Sequence, residues 1–330
     1  CLSVHALNPL LLSAETLTDL GGPRATPIDR SRCLDKALTR LRRPQAAAQR
    51  AAFEDFCLAQ AYWLEDFALY CALRAHYRGR PWWKWPIALR DREASSLAAA
   101  AAELTDALNR TRLEQFLVAG QFAELRAHAQ RRGVRLFGDM PIFVAHDSAD
   151  VWAQRAYFKL DTDGQPAVVA GVPPDYFSAT GQRWGNPHYD WTRMQADGFR
   201  WWQDRLATEL TRFDLIRIDH FRGFEASWEI PAAEPTAIPD VAPARQPWVV
   251  RGVSFRIEPG QVAALVGAEA KNVTFTSGAT EANMLALTPA LEVGGRKEPR
   301  DRLFVSAVEH PSVLAGGRFA PGQVEILPVD

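Results

Sequence analysis

The chain has 330 residues and 36.7 kDa, 47% hydrophobic and 23% charged, which suits one large or two ordinary folded domains and excludes a disordered polymer. With 38 basic against 39 acidic residues, the net charge argues against an electrostatic grip on nucleic acid or on a membrane surface. No apolar run approaches the roughly eighteen residues of a membrane helix, and Cys1 opens the chain without a basic leader, so it reads as a cut or processed start with no signal peptide.

In chain order, residues 45–78 read as helix, with a rough apolar stripe of Phe53, Phe56, Cys57, Ala61, Leu64, Ala68 and Cys71. Pro81 and Pro86 stop it. Residues 95–130, rich in Ala, Leu, Glu and Arg, read as one long helix or two joined ones, with Gly120 the expected interruption. Val134–Met140 reads as a strand carrying Asp139 near its end. Asp147–Asp190 shows little periodicity and reads as a long functional loop. Residues 194–212 form an amphipathic helix that leads into a strand ending at Asp219. Strand, loop, helix, strand is a β/α arrangement, and carboxylates ending two successive strands are what a barrel active site presents.

Five prolines in the seventeen residues 231–247 mark a linker, after which the texture changes. Residues 252–267 alternate like a hairpin, followed by a short strand at 273–276, a helix over 281–287 and a strand over 303–307.

Arg217 and Asp219 stand two apart in an apolar run, so a strand places both side chains on one face. A carboxylate held beside a guanidinium at a strand mouth fits a nucleophile, and it equally fits a structural ion pair. The cysteines Cys1, Cys33, Cys57 and Cys71 form no Cys-x-x-Cys pair and match no zinc spacing, and the histidines form no metal-ligand grouping, so reduced thiols in a cytoplasmic protein without a metal are expected. Tryptophans bunch at Trp82, Trp83, Trp85, at Trp184 and Trp191, and at Trp201 and Trp202; core packing explains some of them, while a cluster within turn-rich sequence reads as a flat platform for a sugar ring or a protein partner.

Four runs carry a family resemblance: Asn8-Pro9-Leu10, the fifteen residues Gly138–Trp152, Gly171–Ser178 continuing to Gly185-Asn186-Pro187, and Arg217–Phe224. Over residues 1–240 the chain resembles a 4-alpha-glucanotransferase of the amylomaltase type. The resemblance implies a (β/α)8 barrel with helical insertions that breaks an α-1,4 glucan bond and passes the cleaved part to another sugar hydroxyl with retention. It implies Asp219 as the nucleophile, Arg217 as its charge partner and His220 as a donor to sugar hydroxyls. Asp139 would support the barrel mouth, while Tyr176, Phe177, Trp184 and Asn186 would contact the glucan. No metal or cofactor is implied. The family's Ser-Pro-Tyr run, its acid/base glutamate in Ala-Glu-Asp-Leu-Gly and its third carboxylate have no counterpart here; Glu225 and Glu229 are the nearest carboxyls in sequence.

Two further resemblances follow. Residues 248–267 resemble the strand pair before the phosphate loop of an ABC-type ATPase, but Ala-Glu-Ala-Lys-Asn replaces the loop, so no ATP binding is expected. Residues 268–330 resemble a cysteine desulfurase fragment, in which Gly278, Ala279 and Thr280 would cradle pyridoxal phosphate and His310 would stack on its ring. Lys271 and Lys297 do not stand in that family's lysine context, so the site reads as vestigial, and Ser277-Gly278 equally reads as a turn before a helix. The whole is expected to be α/β: an incomplete (β/α)8 barrel over 1–240, a linker at 241–247, and a short α/β tail of unrelated folds over 248–267 and 268–330. The expected behaviour is an inactive or severely impaired glucanotransferase, a truncated chimera prone to aggregation or non-specific self-association. The alternatives are a weak binder of α-1,4-glucans or maltooligosaccharides, or an enzyme completed by its tail or by oligomerisation.

Overall fold

In the computed structural model, residues 2–13, 30–174, 180–224, 227–236, 279–293, 296–307, 309 and 311–328 are described; the expected hairpin at 252–267, the strand at 273–276 and the linker from residue 237 lie outside them. After α1 (Arg30–Leu41), the apolar stripe expected over 45–78 is carried by two helices, α2 (Ala47–Ala59) and α3 (Ala61–His76). They part at Gln60, which leaves helical geometry at φ −101°, ψ 7° and accepts the Trp63 indole N–H through its side chain at 2.8 Å. Arg78 and Gly79, both with positive φ, turn the chain away before Pro81.

A short turn of helix, α4 (Ile87–Arg90), precedes α5 (Ala94–Glu103) and α6 (Thr105–Arg131). The interruption falls at Leu104 and not at Gly120. The Thr105 hydroxyl donates to the carbonyls of Ala101 and Ala102, competing with the helical ladder there, whereas a lone exposed glycine costs only about 1 kcal/mol and is tolerated. Leu34 and Ala37 of α1 pack on Leu113 of α6, flanked by Phe53 and Phe116. Phe116 meets Phe53 and Phe56 edge-on, each with centroids 5.6 Å apart, so the two phenylalanines of the predicted stripe do face a core, and Leu64 and Ala68 further along it are fully buried. Burial among these helices pushes the Cys57 thiol up to about 11 and Cys71 up to about 12.

The remaining elements are β1 (Phe137–Pro141), α7 (Ala149–Ala153), β2 (Val168–Val172), β3 (Gln182–Pro187), α8 (Trp191–Ala196), α9 (Arg200–Arg212), β4 (Leu215–Asp219) and β5 (Trp228–Pro231). The stretch expected to be a long loop therefore holds a helix and two strands. Its alternation is illegible because Gly171 sits where a Cβ would run into Gln182 O and the Ile230 side chain, so a central strand position carries no side chain at all. The expected helix over 194–212 is split by Gly198 and Phe199, both at positive φ.

In the tail, α10 (Ala279–Ala286) and β8 (Leu303–Ser306) appear where a helix and a strand were expected. They are joined by β6 (Ala290–Val293) paired with β7 (Arg296–Pro299), and by α11 (Pro311–Leu314) leading to β9 (Val324–Leu327), which pairs with β8 in parallel.

The chain divides into two compact units. One draws on Cys1–Gly133, Phe143–Gln195 and Ser227–Val249, the other on Val134–Ile142, Ala196–Ala226 and Val250–Asp330. In the first, α1–α6 surround the core just described and β3-β2-β5 form an antiparallel sheet, with Val169, Trp228 and Ile230 buried on it. In the second, β1 and β4 pair in parallel, from Phe137 opposite Leu215 to Pro141 opposite Asp219. Among the described residues no other strand joins that pair. The class is thus mixed α/β with helical insertions and an open sheet, consistent with an incomplete barrel. Among the described residues no helix is long and apolar enough to cross a membrane.

Gly138 lies under the Phe213 ring, which a Cβ would overlap. Gly138→Ala is expected to destabilise the chain by about 1–3 kcal/mol in urea unfolding, as overpacking does. Gly120→Ala, in a helix with nothing within 4 Å of the added carbon, should stabilise by up to about 1 kcal/mol.

Candidate active site

The second unit brings three of the expected residues together. Asp139 of β1 faces Arg217 of β4 across the parallel register, and Pro141 faces Asp219, so all four lie on one side of the pair. Arg217 donates through Nε to Asp139 Oδ1 at 2.8 Å and through a terminal nitrogen to Oδ2 at 2.6 Å. The same terminal nitrogen lies 3.4 Å from Asp219 Oδ1. The guanidinium side chain is only 12% exposed, against 56% for Asp139 and 45% for Asp219. Burial pulls its pKa down, but the hydrogen bonds to Asp139 and the charges of Asp139, Asp219 and Glu309 outweigh that and leave it raised. Arg217 is therefore a fixed cation, bidentate to one carboxylate and adjacent to a second that keeps most of its acceptor capacity.

Directly after Asp219 the backbone bends sharply. His220 takes φ 53°, a left-handed conformation uncommon for a residue with a side chain, and its carbonyl accepts from Gly223 N at 2.7 Å. A Cβ on Gly223 would fall 2.8 Å from Ile142 Cδ1 and 3.1 Å from His220 Cδ2. Gly223 thus lets the turn Phe221–Phe224 close against the imidazole and the end of β1.

A residue missed from sequence sits behind this turn. Arg205 of α9 is 2% exposed; its guanidinium lies 5.5 Å from the Trp201 ring centroid and 4.9 Å from that of Trp202. It donates to Ile142 O at 3.0 Å and to Pro141 O. The spacing was visible, since residues 201, 202 and 205 share a helix face, but the indoles read as a platform and not as a box for a cation.

The first unit holds Trp184 and Asn186. Trp184, 37% exposed, leans on Phe143 at 6.1 Å and donates to Gln182 at 3.0 Å. Asn186 donates to Val144 O at 2.7 Å, tying β3 to the segment after β1. Most of the tryptophan platform is corrected: Trp82, Trp85, Trp201 and Trp202 are core residues. Trp82 donates to His146 O at 2.8 Å and Trp85 to Arg80 O at 2.9 Å, so turn-rich sequence folds back to satisfy the indoles. Glu229, one of the two carboxyls nearest Asp219 in sequence, is paired with Lys159 at 3.0 Å. Tyr176, Phe177, Glu225, Gly278 and His310 lie outside the described residues; the backbone of Ala279 and Thr280 opens α10.

The family model for 4-alpha-glucanotransferases matches residues 1–244. The chain belongs to the 4-alpha-glucanotransferase family. A 4-alpha-glucanotransferase from Thermus thermophilus is 49% identical over 205 residues, 62% of this chain and 41% of that protein. One from Synechocystis is 40% identical over 256 residues, 72% of this chain and 51% of that protein. The chain spans about half the length of these curated relatives. Among solved structures, an amylomaltase from Streptococcus agalactiae in complex with acarbose matches with a TM-score of 0.69 at 26% identity, over 93% of this chain and 67% of that one.

Two buried imidazoles set a pH dependence in the first unit. Burial lowers the pKa of His188, beside Glu229 and Lys159, and of His146, which bonds Gly164 O at 2.7 Å and stacks on Trp83 at 3.9 Å. Below the ordinary histidine value of about 6.5 the unfolded chain takes up protons that the folded one refuses, so these groups remove stability as pH falls. Urea unfolding should show lower stability at about pH 5.5 than at about pH 7.5, with a shallower decline in His188→Gln.

Proposed function

We propose that the β1–β4 pair carries the nucleophile of a retaining 4-alpha-glucanotransferase site, with α-1,4-glucans or maltooligosaccharides as substrate. The observation that carries the reading is one buried guanidinium serving Asp139 and Asp219 at the ends of paired parallel strands, in a chain of this family. Asp219 attacks the anomeric carbon, the glycosidic C–O bond breaks, and a sugar hydroxyl later displaces the carboxylate with a second inversion. Arg217 fixes the local charge, Asp139 fixes Arg217, and His220 donates to sugar hydroxyls. Trp184, Asn186, Tyr176 and Phe177 are assigned to glucan contact.

The departing oxygen needs a proton from a second carboxyl about 5 to 5.5 Å from the nucleophile. Both Asp139 oxygens accept from Arg217, and Glu229 is committed to Lys159. Neither of these two is free to serve, and the family's Ala-Glu-Asp-Leu-Gly run does not occur in the sequence, so this chain by itself is expected to bind glucan and to turn it over poorly or not at all. Residues 241–247 act as a linker. The resemblances of 248–267 to an ABC-type ATPase and of 268–330 to a cysteine desulfurase confer neither ATP nor pyridoxal phosphate chemistry, and the open strand edges favour self-association.

A second reading has support in the Glu309 carboxylate, whose charge acts on Arg217, and in the structural match extending beyond residue 244: the tail completes the site and Glu309 is the acid. Maltotriose disproportionation by soluble, monodisperse protein separates the two. We expect no longer maltooligosaccharides from the wild type, Asp219→Asn or Glu309→Gln. Products from the wild type alone would establish the second reading, and products surviving in Asp219→Asn would overturn the nucleophile assignment.

A further inference from the structure

We propose that Arg205 is the positioning residue of this site: a buried clamp that holds the end of β1, and through it the Asp139–Arg217 pair, in line with Asp219. A single-domain core has little reason to bury a guanidinium, since desolvating a cation costs several kcal/mol unless hydrogen bonds and neighbouring charge compensate. Here two of the compensating hydrogen bonds are directed at one place. Two of the donors reach the carbonyls of Pro141, the last residue of β1, and of Ile142, the residue after it. Both indole faces of Trp201 and Trp202 supply electron density to the cation, and Glu209, one helical turn on, lies within reach of its charge.

Pro141 is the register partner of Asp219, and Asp139 stands two residues earlier on the same face. Fixing the Pro141 and Ile142 carbonyls therefore fixes the depth at which Asp139 presents its carboxylate to Arg217. The clamp also closes from the other side. Phe224 packs on Trp202 with centroids 4.7 Å apart, and Gly223 of the same turn lies against the Ile142 side chain and the His220 ring. Ile142 is thus held by its carbonyl through Arg205 and by its side chain through the turn that carries His220. The ends of β1 and β4 are coupled through α9, in addition to their own ladder.

The consequence for glucan chemistry rests on the assignment of Asp219 above, whereas the clamp itself is tested without substrate. With arginine side chains labelled with nitrogen-15, the Arg217 Nε–H resonance is assigned by its loss in Arg217→Lys. Locked on Asp139 and largely buried, it should exchange slowly with solvent. In Arg205→Lys, which keeps the charge and loses the fork that reaches both carbonyls, we expect Arg217 Nε–H exchange to quicken about tenfold, while the Arg110 signal, paired with Asp35 in the first unit, stays unchanged. If Arg205→Lys does not fold, Trp201→Phe keeps both donors and loosens only one face of the box, and should quicken the exchange by about two- to threefold. Unchanged Arg217 exchange in either folded variant overturns the proposal. Glucan binding that stays unchanged in a folded variant whose Arg217 exchange has quickened would count against the glucan assignment alone.

Discussion

The Arg217 guanidinium lies between two carboxylates on neighbouring parallel strands, and the chemistry assigned to this chain depends on that placement. A guanidinium held by these carboxylates keeps its charge despite burial, and it cannot move away from Asp139 without losing two short hydrogen bonds. Its position is in turn a matter of register: parallel pairing places Arg217 opposite Asp139 and Asp219 opposite Pro141. A slip of one residue would send Arg217 and Asp219 to the other face. The apolar positions between them, Met140 and Ile218, face the opposite side, where Met140 is 2% exposed, so packing opposes the slip.

Strain and close packing collect immediately beyond the two strand ends. His220 is held in a left-handed conformation, Gly223 has no room for a Cβ, and the Pro141 and Ile142 carbonyls are taken by Arg205. A chain satisfying only its hydrophobic pattern would not need a buried guanidinium between two tryptophans. That these features meet at the mouth of one strand pair agrees with a site whose side chains must be held within a fraction of an ångström.

The sequence was most legible where periodicity or a short polar spacing decided the matter. The two-residue step from Arg217 to Asp219 gave their shared face, and the paired carboxylates at strand ends followed from it. For Asp139 the expectation was support of the mouth, and its bidentate pairing with Arg217 was not read from spacing. The helical stripe through Phe53 and Phe56 was real, but its break at Gln60 lay in backbone geometry that no apolar spacing announces. Gly120 misled because glycine in a helix is a modest cost, while the competing Thr105 hydroxyl is local chemistry outside any period count. The indole clusters misled for the opposite reason. Turn-rich sequence does bury tryptophan when the turns return carbonyls to the N–H groups, as His146 and Arg80 do for Trp82 and Trp85.

The assignment of Asp219 can be tested without calling on an acid partner. Fluoride departs from the anomeric carbon of a glycosyl fluoride with little need of protonation, so a nucleophile without an acid partner should still form its covalent glycosyl adduct and then release it slowly. The measurement is incubation of the folded chain with α-maltotriosyl fluoride, followed by peptide mass spectrometry. The account predicts one maltotriosyl group on the peptide containing Asp219 and none in Asp219→Asn. A folded chain that stays unlabelled, or is labelled on any other residue, would contradict it.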